Sequence, residues 1–130
     1  MDKMISFLKF IFHISILLLI IISLFPGSLL GFVLYEDFSR QPNLIDNPFG
    51  TAINHFFYFF YVSTLGMCLY LKSDNFRKLV YSLFFLSIIL EILQLVVPNR
   101  TFEIYDISAN FAGVLVAYFF IKIYLSWRKL

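Results

Sequence analysis

A chain of 130 residues that is 61% hydrophobic and 21% aromatic, with only 14% charged residues, is no soluble domain. Soluble domains carry roughly 25% charged residues, and this much apolar surface would be exposed to water. A mean hydropathy of +0.87 places the chain in a membrane, its length excludes a separate soluble catalytic domain, and a net charge of +2 is too small to suggest a nucleic-acid partner.

Four stretches approach the roughly 20 residues that a helix needs to cross about 30 Å of hydrocarbon. The first covers residues 5 to 25 and is closed by Pro26-Gly27, a helix stop followed by a turn. It is too long for the apolar region of a signal peptide and no small-x-small cleavage site follows it, so it is expected to be retained. A breaker-rich loop, QPNLIDNPFG, leads into the second span at 51 to 71. The third covers 79 to 97 and ends at Pro98, and the fourth covers 105 to 125. The expected architecture is all-α: four transmembrane helices in a small bundle. The lone Cys68 excludes an internal disulfide.

Charge sets the expected orientation. Lys3, Lys9, Lys72, Arg77, Lys78, Lys122, Arg128 and Lys129 fall on one side of the four spans, and only Arg40 and Arg100 on the other. The positive-inside rule then puts both termini in the cytoplasm, with residues 26 to 50 and the connection PNRTFEIY outside.

The stretch EILQLVVPNRTFEIYDISAN stands apart from the apolar runs around it. Glu91 lies six residues before Val97, so it is buried about 9 Å below the outer end of its helix. Gln94 follows three residues later on the same face. His55, four residues into the second span, lies at a depth of roughly 6 Å from the same side. Asp106 and Asn110 share a face of the fourth helix, and Arg100 sits in the loop above. Three helices thus carry polar groups to one layer.

The motifs INHFFYFFYVSTLG and EILQLVVPNRTFEIYDISANFAG resemble the VanZ-like family of small bacterial membrane proteins, named for a protein associated with low-level teicoplanin resistance. The likeness covers about residues 15 to 120. It singles out His55, Glu91, Gln94, Arg100, Asp106 and Asn110, with Gly113 as a small packing partner. The chain departs from the pattern where the family often has an Asp-Lys pair, since Thr51 and Ala52 stand there. The resemblance implies a multi-pass protein of the bacterial cytoplasmic membrane.

Each polar residue has a structural and a functional reading. Glu91 is either a protonated interhelical donor or a functional carboxylate held by Arg100 or His55, since an unpaired charge in a membrane costs several kcal/mol. Asp106 either caps the fourth helix or joins the cluster. Gln94 and Asn110 read first as helix-packing residues and second as members of the pocket. Arg100 is either a snorkelling anchor or a fork for phosphate, and His13 reads as a packed or interfacial group. His55, Glu91 and Asp106 offer nitrogen and oxygen donors without a recognised ligand spacing, so neither a metal nor any other cofactor is expected.

Two functions follow. In the first, a non-enzymatic envelope protein uses its outer pocket of Arg100, Glu91, Gln94, Asp106, Asn110 and His55 to bind membrane lipid head groups or a lipid-linked cell-wall precursor. It would thereby alter teicoplanin-type susceptibility or envelope assembly. In the second, a small intramembrane enzyme acts on a lipid-linked phosphate, with Arg100 holding the anion and His55 and Glu91 as acid and base. The absence of a nucleophile motif favours the first.

Overall fold

The computed structural model describes residues 2–42 and 48–128. It contains α1 (Asp2–Leu24), α2 (Leu29–Tyr35), α3 (Ala52–Leu69), α4 (Phe76–Leu93), extended by a 3-10 turn at Gln94–Val96, and α5 (Ile104–Trp127). Four of these helices are long and apolar enough to cross a membrane: Lys3–Leu24, Ala52–Leu69, Phe76–Val96 and Ile104–Trp127. They match the four expected spans, and among the described residues there is no strand. The third span starts before residue 79 because Arg77 and Lys78 lie within the first turn of α4.

Each long helix buries one stripe. On α1 it is Phe12, Ser15, Leu19 and Ser23, and on α3 it is Phe59, Val62, Ser63, Gly66 and Met67. These positions recur at intervals of three and four, the spacing that keeps side chains on one helical face. The opposite faces are as apolar as the core. Phe7, Phe10, Tyr81, Phe85, Phe119 and Phe120 are all exposed, as expected of surfaces that meet lipid rather than water.

α3 packs most extensively on α5, and Gly113 explains how closely. A Cβ at Gly113 would lie 2.5 Å from the carbonyl oxygen of Phe56 and 2.9 Å from the amide nitrogen of Phe60. Small residues let membrane helices approach this way, because packing rather than water exclusion joins them. Ala117, fully buried four residues on, continues the groove.

Residues 26 to 42, expected as loop, contain a short helix and a fold-back. Ser28 Oγ accepts the Gly31 amide at 2.9 Å and caps α2. Glu36 ends it in a left-handed conformation (φ 56°). The chain then returns along α2, where Phe38 stacks on Phe32 with ring centroids 4.2 Å apart. The Ser28 amide donates to the Phe38 carbonyl at 2.7 Å. Gly31 is required here, because a Cβ would collide with the Arg40 carbonyl. Sequence periodicity did not show this element because seven helical residues fall far below a span, and the stacking that holds them is tertiary.

Candidate functional site

The polar residues of the site continue the buried stripes. On α4, Val80, Leu83, Ser87 and Leu90 lead in register to Glu91 and then Gln94. On α5, Asp106 and Asn110 precede Gly113, Ala117 and Ile121. The same face that packs the bundle therefore turns polar at one end. Glu91 is 0% exposed, Asn110 2%, Gln94 3% and Asp106 5%. A polar atom at such positions has only other protein groups, or a ligand, to satisfy it.

Asn110 Oδ1 lies 3.2 Å from His55 Nδ1. An amide oxygen accepts only, so Nδ1 carries the hydrogen and donates it. The ring's other nitrogen, Nε2, faces Asp106 Oδ2 at 3.4 Å. The second Asp106 oxygen, Oδ1, is buried and has no hydrogen-bond partner among the described residues. Across the same space Glu91 Oε2 accepts Gln94 Nε2 at 3.4 Å, and Oε1 accepts the Glu103 amide at 3.4 Å. One ligand atom each from His55, Glu91 and Asp106 lie within 4.8 Å of one another.

Two of the alternatives that the sequence leaves open are not taken. Arg100 makes no ion pair with Glu91 among the described residues. Its Nε donates to the Phe25 carbonyl at 3.1 Å and its Nη2 to the Ile22 carbonyl, occupying acceptors that the C-terminal end of α1 leaves open. Burial lowers the affinity of this guanidinium for its proton, while the nearby charges of Glu91 and Asp106 raise it. Arginine has five N–H donors, so the two carbonyl bonds leave others free. Asp106, the candidate cap of the last helix, accepts no backbone amide among the described residues and faces His55 instead. The partners of Glu91 are then Gln94 and the start of α5, through the Glu103 amide.

Beside this cluster lies a cavity of roughly 90 Å³. His55, Gln94, Arg100 and Asn110 line it together with Ser23, Ser28, Gln41, Thr51 and Asn54, and Leu19, Ile22, Leu30, Tyr58 and Phe59 form its apolar wall. Ser28, Leu30, Gln41 and Pro42 belong to the fold-back around α2, which Asn54 Nδ2 secures by donating to the Pro42 carbonyl at 3.0 Å. Asn54, Ser23, Ser28 and Gln41 were not read from the sequence as site residues. Asn54 and Tyr58, one turn apart on α3, were the available signal. Thr51 reaches the cavity wall while Ala52 is buried, so nothing at these positions supplies the charges of an Asp-Lys pair. Away from the site, His13 is exposed, with Nδ1 2.6 Å from the Lys9 carbonyl.

Four apolar helices closing around a layer of buried Glu91, Asp106 and Asn110 with half-buried His55 define a small membrane protein with a polar pocket at one end of the bundle. The chain belongs to the VanZ/LLP1 family, whose model matches residues 8–125. No curated protein and no solved structure matches it.

Proposed function

We propose that this chain is a bacterial envelope protein of the cytoplasmic membrane, with both termini in the cytoplasm, whose outer-leaflet cavity binds the anionic head group of a lipid or lipid-linked cell-wall precursor. The observation that carries the reading is Arg100, half-buried at the cavity wall and held there by two backbone carbonyls. A guanidinium fixed in this way presents its remaining donors in a set direction, the arrangement that suits phosphate oxygens. The cavity of roughly 90 Å³ equals about three waters at about 30 Å³ each, space that one phosphate-sized group would fill in their place. Its apolar wall of Leu19, Ile22, Leu30, Tyr58 and Phe59 suits the first part of a lipid chain. Occupancy by a precursor would alter teicoplanin-type susceptibility without turnover.

Native mass spectrometry of the purified protein with phosphatidylglycerol, a polyprenyl phosphate and neutral diacylglycerol tests this reading. Retention of either phosphate lipid over diacylglycerol, weakened about tenfold in Arg100→Lys, supports it; equal retention of all three contradicts it. The orientation is tested in a Cys68-free background. Impermeant labelling of Ser39→Cys but not Ser73→Cys in intact cells is expected, and the reverse would overturn it. A second reading, acid–base cleavage of a lipid-linked phosphate, is favoured by one observation, the His55–Asp106 contact beside Glu91. Release of inorganic phosphate from the polyprenyl phosphate would establish it.

A further inference from the structure

We propose that His55, Glu91 and Asp106 form a binding site for a first-row divalent cation, with its open coordination positions toward the cavity. This inference stands on the cluster itself and does not require that a lipid bind.

The hydrogen bonding of His55 carries it first. Because Nδ1–H is committed to Asn110 Oδ1, a neutral His55 presents the lone pair of Nε2 to the Asp106 carboxylate at 3.4 Å. A lone pair facing a carboxylate oxygen is repulsive unless a positive centre lies between them. That centre is a proton or a metal ion. Metal-bound histidines have this same arrangement, with the distal ring N–H donated to an oxygen that fixes tautomer and ring angle. Asn110, 2% exposed, holds that place here.

The carboxylates carry it next. Asp106 is 95% buried by its 5% exposure, and its Oδ1 has no partner among the described residues. Glu91 is fully buried, with two long hydrogen bonds among the described residues. Two enclosed carboxylates beside one imidazole form an acidic set with no Lys or Arg ion pair among the described residues; Arg100 is near enough to feel both charges but gives its Nε and Nη2 to the Phe25 and Ile22 carbonyls. Metal–ligand bonds of about 2.0–2.1 Å in a tetrahedral site put neighbouring donor atoms about 3.3 Å apart. The His55–Asp106 separation of 3.4 Å already matches. The limit of 4.8 Å on the remaining pairs leaves Glu91 a shift of at most about 1.5 Å on a flexible side chain.

Donor chemistry selects the ion. One imidazole and two carboxylates suit Zn²⁺ or Mn²⁺, while Ca²⁺ and Mg²⁺ favour all-oxygen shells and Cu(I) favours sulfur. Three protein ligands leave at least one position open. His55, 22% exposed and on the cavity wall, provides the route in.

The test uses the full-length protein in detergent, stripped with chelator and dialysed against Zn²⁺ or Mn²⁺ with metal content measured. About one equivalent of either ion is expected, with a rise in melting temperature. Asp106→Asn and Glu91→Gln are expected to lose the ion while their metal-free melting temperature stays near that of the metal-free parent. Asn110→Ala is expected to weaken binding 10- to 100-fold. X-ray absorption on the loaded parent protein gives an answer independent of variant folding: one imidazole among N/O donors at about 2.0–2.2 Å supports the site. No binding of either ion, a shell containing the Cys68 sulfur, or full binding by both carboxylate variants would overturn it.

Discussion

The two ends of this bundle are built from the same helices and hold together differently. Towards the C-terminus of α3 and α5 the interior is Phe12, Met67, Val80, Leu83, Val114 and Ile121, apolar and close-packed. At the other end the same stripes carry Glu91, Gln94, Asp106, Asn110 and His55 beside a cavity. Both ends contain buried polar atoms without partners among the described residues, but they differ in kind. In the apolar half they are the hydroxyls of Ser63 and Thr64; in the polar half it is a carboxylate oxygen of Asp106. An unpaired hydroxyl costs a few kcal/mol, whereas an isolated buried charge costs far more. The first is tolerable within a packed helix pair. The second calls for a proton or a cation.

The comparison is broken most severely at Gly113, where the two ends meet. Gly113→Ala puts a methyl group against the α3 backbone. It should lower stability by about 1–3 kcal/mol, the usual range for overpacking, and Gly113→Leu should prevent the α3–α5 contact altogether. Thermal unfolding in detergent reads both. An unchanged melting temperature for Gly113→Ala would show that the close approach is not what joins the helices.

Leu83→Ala sharpens the contrast from the apolar side. Leu83 is 2% exposed, and leucine truncations in cores cost about 2–5 kcal/mol. We place this one near the lower end, about 2 kcal/mol, because lipid replaces water in the reference state. Lipid binding per folded molecule should be unaffected, which separates it from every substitution in the polar layer.

Arg100→Lys acts at the polar end. Lysine keeps the charge but cannot bond both α1 carbonyls with the same fork. Hydrogen bonds to charged groups contribute about 1.5–3 kcal/mol each, and partial replacement should reduce the stability loss to about 1 kcal/mol. The larger effect should fall on phosphate-lipid affinity.

The smallest effect is expected at Asp37, in the fold-back beyond α2. Its carboxylate accepts the Ser39 amide at 2.8 Å and the Ser39 hydroxyl at 2.7 Å, which lowers its pKa below the ordinary aspartate value. A carboxylate with a depressed folded-state pKa stabilises above its unfolded value, about 3.9. That contribution is lost as pH falls through the lower folded value. Asp37 is fully exposed, so Asp37→Asn should leave the melting temperature almost unchanged between pH 5 and 8. The Ser39 amide resonance should shift only below about pH 4.

The spans and the polar layer were legible because both follow from one-dimensional spacing. Glu91 falls in the register of Val80, Leu83 and Ser87, and Asp106 in that of Asn110 and Gly113. Partner choice was not legible. Nothing in the spacing says that the last carbonyls of α1 lie beneath Arg100, 75 and 78 residues away in sequence. Likewise His55 chose Asp106 over Glu91 because α3 lies tightly against α5 at Gly113, a packing detail. The His-Glu-Asp cluster escaped motif reading for the same reason. Its members come from three helices and share no short spacing.

The most direct test of the polar end as a binding site is the affinity of the full-length protein for a polyprenyl phosphate, measured by native mass spectrometry beside melting temperature. Arg100→Lys and Leu83→Ala are compared with the parent chain at equal folded fraction. The account predicts about a tenfold loss of affinity in Arg100→Lys, or about 1.4 kcal/mol, and parent-like affinity in Leu83→Ala despite its lower melting temperature. Affinity that falls in both variants only in proportion to lost folded protein would contradict it, and would make the polar layer part of the packing.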